Sequence, residues 1–264
     1  MAQALVWVTA GTGFTFLMTT LGAASVFLFR KKENELAQRV FLGFAAGIMI
    51  AASVWSLLIP SLDSAQEAGD IPWIPAAGGF ALGVMFLMGL HALLPHVHPG
   101  TRKAEGLPSK WNRSTLLVAA ITLHNIPEGM SVGLLFAVAS QQGGDPAAVG
   151  MAIALALGIG IQNIPEGAAV ALPLRQEGMS ALKAFALGSL SGLAEPVFGI
   201  LVVLIADSIA PYMPWMLSFA AGAMMYVVVE ELIPEAHLGK YSNLGTASVL
   251  IGFLIMMVLD VALG

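Results

Sequence analysis

Runs of some twenty apolar residues recur eight times along the chain, near 5–29, 40–61, 74–94, 114–138, 147–172, 180–206, 213–233 and 245–264. A bilayer-crossing helix needs about 20 mostly apolar residues, and a helix satisfies its own backbone hydrogen bonds where no water is present. The expected fold is therefore an all-α membrane protein of eight transmembrane helices. The joints between runs, such as KKENELAQR, SLDSAQEAGD and SQQGGDP, are polar and turn-forming. None has room for a second domain, so residues 1–264 read as a single transmembrane domain. The first run is too long, and too bare of preceding bases, for a secretory signal. Only 10% of the residues are charged, against about 25% in soluble domains, which excludes a water-soluble globule. The absence of cysteine excludes disulfides and thiolate metal sites.

The few charges are ordered. Arg30, Lys31, Lys32, Arg39, Arg102, Lys103, Lys110, Arg113, Arg175, Lys183 and Lys240 all fall in joints one, three, five and seven. The even joints hold only acids: Asp63, Glu67, Asp70, Asp145 and Asp207. Basic loops stay in the cytoplasm, so both termini are expected outside and the odd joints inside. The expected location is a cell membrane, crossed many times (the inner membrane in a Gram-negative cell).

Six acids remain inside the apolar runs: Glu128, Glu166, Glu195, Glu230, Glu231 and Asp260. A carboxylate at mid-membrane costs about 2.5–3.5 kcal/mol on insertion scales, and an intramembrane base normally offsets it. Here every base lies in a joint. The acids must be protonated, hydrated, or neutralised by a cation that the sequence does not encode.

Two strings stand out. The fourth run holds His124-Asn125-Ile126-Pro127-Glu128-Gly129 and the fifth holds Gln162-Asn163-Ile164-Pro165-Glu166-Gly167, which differ at one position. Both lie about half-way along runs that cross in opposite directions. Residues four apart on a helix are about 40° apart around its axis, so His124 shares a face with Glu128, and Gln162 with Glu166. Each proline removes a backbone N–H and pushes on the carbonyl four residues earlier, so helices four and five are expected to be kinked at the ligands. Imidazole with carboxylate suits zinc and similar divalent metals, whereas magnesium prefers oxygen and retained water. Glu195-Pro196 in the sixth run and Glu230-Glu231 with Pro234 in the seventh add acids beside prolines.

These strings resemble the ZIP (Zrt-/Irt-like) family of divalent metal transporters, especially its bacterial members, and EELIPEAH at the end of the seventh run is similar to that family too. The resemblance covers the whole chain. It implies a two-metal site in spans four and five. One metal would meet His124, Glu128, Gln162 and Glu166. The other would meet Asn125, Glu128, Asn163, Glu166 and Glu195. It further implies that Met49, Ala52 and Ser56 line an entrance, that Asp260 draws cations to it, and that Glu231 and Glu230 lie at the exit. His96 and His98 in the third joint would sample released metal, while His91 and His237 read as structural or interfacial. Gln162 stands where many relatives have histidine, which softens the zinc preference; Asn163 is neutral, which weakens the second site. Spans one, four, five and six would move against the rest, with Gly43/Gly47, Gly79/Gly83 and Gly188/Gly192 allowing close contact, sliding or fixed. A homodimer is implied by the family alone.

The expected function is uptake of zinc or a related divalent cation (Zn, Cd, Fe, Mn) into the cytoplasm, with the metal as substrate and no resident cofactor. Its partners are such cations and the lipid bilayer, not nucleic acid. An intramembrane zinc hydrolase would need three firm ligands and a general base; only His124 lies deep in a run, and neither HExxH nor GxSxG occurs. A proton-coupled carrier of another substrate could use the acids as a relay, but would not call for histidine and glutamate at this spacing.

Overall fold

The computed structural model describes residues 2–28, 35–93, 113–176, 178–236 and 242–263, and among these there is no strand. His96, His98 and His237 lie outside the described residues. The helices, in chain order, begin with α1 (Ala2–Ala23), the short α2 (Ser25–Leu28) and α3 (Glu35–Ala52). After a π-helical turn at Ser53–Leu58 come α4 (Ile59–Glu67), α5 (Trp73–Leu93), α6 (Arg113–Gln141) and α7 (Pro146–Gln176). Then follow α8 (Ala181–Ser191), α9 (Ala194–Ile209), α10 (Met213–Val227), a second π-helical turn at Val228–Leu232, α11 (Ile233–Ala236) and α12 (Ser242–Leu263).

Among the described residues six helical stretches are long and apolar enough to cross a membrane. One of them, Ala181–Leu232, is 52 residues long and turns at a 3₁₀ segment, Ala210–Tyr212. The 29-residue α6 is not among the six; it carries the first polar string. Polarity is distributed inside-out: Val6, Leu17, Leu82, Phe86, Leu250 and Leu254 point outward, while Thr12, Thr15, Thr19, Ser56, Asn125 and Asn163 are fully buried. That pattern suits a hydrocarbon surround rather than water.

Both π-helical turns fall outside the repeated strings. Helices α6 and α7 run without interruption through Pro127 and Pro165. The π-helical turns instead precede Pro60 and Pro234, where the N–H of Ile59 bonds the carbonyl of Val54 and that of Ile233 bonds Val228. A proline N cannot donate to the residue four back and its ring crowds that carbonyl; one residue of slack in the preceding turn relieves the clash.

The helices sort into two packed groups, α1 on α7 and α6 on α9 in one, α3 on α12 and α5 on α10 in the other. Glycines let the backbones touch within each group. A Cβ at Gly22 would strike the Ile164 carbonyl and one at Gly167 that of Thr19; Gly47 and Gly252 press on Val249 and Phe44, and Gly83 and Gly222 on Phe219 and Phe80. Gly43 and Gly79 likewise face α12 and α10, while Gly188 and Gly192 face Ala23 and Thr19 of α1. The nearest atoms are backbone carbonyls at Gly47 and Gly83 and side-chain atoms at Gly43, Gly79, Gly188 and Gly192, so all six are places of close contact within a group. Contact between the groups is made by side chains instead. Gly158 of α7 meets Met256 and Ile48, and Met49, Leu155, Leu217 and Met224 fill the same core.

Candidate metal centre

The two repeated strings meet at one cavity. His124, Glu128, Gln162 and Glu166 all line it, with Glu231 toward one end and Leu42, Ala45 and Met49 of α3 forming a wall. The four-residue spacing within each helix thus presents both pairs to the same space, as one shared face per helix requires. Glu128 and Gln162 are buried to within 2% exposure, and the Gln162 amide donates to Glu128 Oε1. His124 does not turn to Glu128: its Nε2 lies 2.7 Å from Glu231 Oε1.

The remaining members of the ligand set sit deeper, against α8 and α9. Helix α8 stops at Ser191, and the Ser191 carbonyl accepts a bond from Asn125 Nδ2 at 3.0 Å. That break places Glu195 in the first turn of α9, where the helix N-terminus favours negative charge. Glu195 is fully buried and accepts a bond from Asn163 Nδ2 at 2.8 Å, while Asn163 also donates to the Thr15 carbonyl at 3.2 Å. Gly129 brings α6 against the Glu195 backbone, so the second set lies beside the first.

Of the buried side-chain oxygens with no hydrogen-bond partner among the described residues, five belong to the two strings: Asn125 Oδ1, Glu128 Oε2, Gln162 Oε1, Asn163 Oδ1 and Glu166 Oε1. Leaving a buried acceptor unsatisfied costs about 1–3 kcal/mol, more when it is charged. Such a concentration within two motifs identifies a site built for a ligand rather than for packing.

The other sequence candidates divide. Met49 faces the cavity, but Ala52 is packed in the core and Ser56 is fully buried. The π-helical turn begins between them at Ser53, so α-helical spacing does not carry through, and the three do not form one lining. Ser56 Oγ instead donates to Asp260 Oδ1 at 2.6 Å, in a contact buried from both sides. Asp260 is 5% exposed and does not present an open carboxylate. Glu230 is exposed while its neighbour Glu231 is buried. His91, expected to be structural or interfacial, is buried on α5 with its ring centroid 5.6 Å from that of His124.

Comparison with known proteins agrees with this geometry. Residues 100–260 match the family model described as ZIP zinc transporter. The chain is 37% identical to "Zinc transporter ZIP11" of Homo sapiens, over 96% of each protein. It is 39% identical to "Zinc transporter GufA" of Myxococcus xanthus, over 93% of this chain and 94% of that one. It is also 39% identical to "Zinc transporter ZIPB" of Bordetella bronchiseptica, over 94% of this chain and 79% of that one. Membrane-spanning helices, a polar centre between two helix groups and these relatives give one conclusion: the chain is a multi-pass membrane protein of the ZIP zinc transporter family, a family of transporters and not of enzymes.

Proposed function

We propose that the protein carries zinc or a related divalent transition-metal cation into the cytoplasm, with His124, Glu128, Gln162 and Glu166 as the ligands of the central metal. The observation that carries this reading is the set of five orphaned oxygens around Glu128 and Glu166, in runs that contain no base. A dication supplies the charge that the chain lacks. Asn125, Asn163 and Glu195 would take a second metal. Asn163 and Gln162 now offer their amide N–H to glutamates, so binding there requires each amide to rotate and present oxygen.

Direction is supported by the cavity's lining. Leu42 of α3 and Glu231 belong to it, and both lie near the ends of runs that adjoin basic joints, the side that the ordering of bases makes cytoplasmic. Toward the other ends of the runs, Ser56 is hydrogen-bonded to Asp260. Release inward followed by reopening past Asp260 is then the cycle, and the soft side-chain contact between the helix groups supports their relative motion. A bacterial inner-membrane setting and a homodimer belong to the same reading.

Liposomes holding the purified protein and a metal-sensitive dye test it. Zinc influx should fall to the protein-free leak in Glu128→Ala/Glu166→Ala. Influx that survives this double change would remove the transport site from these residues.

A further inference from the structure

The oxygens around Glu195 differ in kind from those of the central cavity. Asn163 donates to Glu195 Oε1 at 2.8 Å, while the buried Oε2 has no partner among the described residues. Helix α1 covers this carboxylate. Thr15 and Thr19, one turn apart on one face, are fully buried and interact with Glu195. Their protons are committed to α1 itself: Thr15 Oγ1 donates to the Thr12 carbonyl at 3.0 Å, and Thr19 Oγ1 to that of Thr15 at 3.3 Å. A hydroxyl has one proton to give, so toward Glu195 both oxygens can only accept. Asn125 stands one turn before Gly129, which packs on the Glu195 backbone; its Oδ1 and that of Asn163 are unpartnered too. We propose that Thr15, Thr19, Asn125, Asn163 and Glu195 form a site for a resident sodium ion, which is the second metal of the transport reading. The charge balance below rests on that reading; the oxygen set does not.

The donor set selects the class of ion. It offers carboxylate, amide, hydroxyl and, at Thr15, backbone carbonyl oxygen, but neither imidazole nor thiolate. Oxygen-only sets suit hard cations, whereas zinc is drawn to nitrogen and sulfur. Charge then selects among hard cations. With a dication matched to Glu128 and Glu166 in the central site, Glu195 alone is left to be matched, because both asparagines and both threonines are neutral. Calcium or magnesium would leave a positive charge over, and an unmatched charge out of water is heavily penalised. A proton would match the charge but satisfy a single oxygen, leaving the acceptors of Asn125, Asn163 and the threonines unpaired. Sodium meets both conditions.

The fold makes room for the ion. Helix α8 stops at Ser191 beside this set, and helices broken at mid-membrane are a general setting for sodium ligands. The Asn163 amide marks the position, since its Nδ2 touches both Glu195 Oε1 and the Thr15 carbonyl, the latter at 3.2 Å. Half a turn of that amide exchanges Nδ2 for Oδ1 and converts the donor into a ligand. All five residues belong to α1, α6, α7 and α9, one helix group, and none of them lines the central cavity. The ion is therefore held rather than carried: it travels with its group and ties α1 to α7 and α9 beside the zinc ligands.

Radiosodium is the probe, added to the full chain in detergent beside saturating zinc. About one sodium ion per chain should bind. Thr15→Val/Thr19→Val, which keeps the shape and removes both oxygens, should weaken that binding by about tenfold or more, as loss of a partner to a charged group does. Thr15→Ser/Thr19→Ser should retain it. Asn163→Asp adds the charge that a dication needs, so zinc bound per chain should rise by one and displace the sodium. No sodium bound by the wild type overturns the site. So does binding indifferent to the valine pair, a serine pair no better than the valine pair, or an Asn163→Asp chain that gains no zinc. Zinc influx into liposomes is scored separately: influx without bound sodium removes this site alone, and bound sodium without influx removes only the transport reading.

Discussion

Gln162 is the residue where this chain departs most usefully from a two-histidine centre. Its amide now donates to Glu128, an arrangement that holds the pocket together but offers a metal only a neutral oxygen. Gln162→His should raise the preference for zinc over cadmium or iron by about tenfold, equivalent to about 1.4 kcal/mol, read from competition in dye-loaded liposomes. Unchanged competition would deny Gln162 a ligand role. Asp260 tests the opposite end. Its contact with Ser56 is short and buried, so the carboxylate acts on metal only after that contact opens. Asp260→Asn should lower zinc influx by about tenfold or more at low external zinc, since it removes the one intramembrane charge on that side while keeping the bond from Ser56. Equal influx at limiting zinc would show that Asp260 serves packing alone.

Among helices, the lesson lies in which glycines touch backbone and which touch side chains. Gly167 has the Thr19 carbonyl against it, whereas Gly158 has the flexible ends of Met256 and Ile48. Gly167→Val should cost about 3 kcal/mol or more, at the upper end for overpacking, and lower the thermal midpoint of the detergent-solubilised protein. Gly158→Ala should cost less, because methionine can move aside. A reversed order would mean that α1 and α7 are not locked as their backbone contact requires. The π-helical turns carry a second lesson. Leu58-Ile59-Pro60 and Leu232-Ile233-Pro234 share a tripeptide, and each follows or closes such a turn. Proline's missing N–H was legible; that the helix would absorb it by widening before Pro60 and Pro234, yet continue through Pro127 and Pro165, depends on neighbours outside each helix.

For the molecule as a whole, two helix groups face each other across a core of methionine, leucine and isoleucine side chains. Transport by relative motion requires that interface to shear. A Cβ at Gly158 lies 3.3 Å from Ile48 Cγ2, so side chains at the two positions touch across the interface. In this cysteine-free chain, Ile48→Cys/Gly158→Cys should cross-link the groups on oxidation. Zinc influx should then stop and return on reduction. Full influx through the oxidised protein, with cross-linking verified by mass, would rule out movement at this interface.

The eight apolar runs, the ordering of bases, and the repeated strings are local in sequence, and hydrophobicity with four-residue spacing makes them readable without coordinates. That is why the membrane class, the family and the cavity shared by His124, Glu128, Gln162 and Glu166 were all legible. Spacing alone does not give contacts between distant residues, although the family resemblance groups Asn163 with Glu195 and sets Asp260 at the same entrance as Ser56. Ser56 meets Asp260 across 204 positions, and Asn163 meets Glu195 across 32. His91, His124 and Glu231 come together from three separate elements. Of the two adjacent glutamates in the second π-helical turn, Glu231 is buried and Glu230 exposed. Spacing determines what one helix presents on each face; only the packing of helices, set by backbone-to-backbone glycine contacts, decides which faces meet.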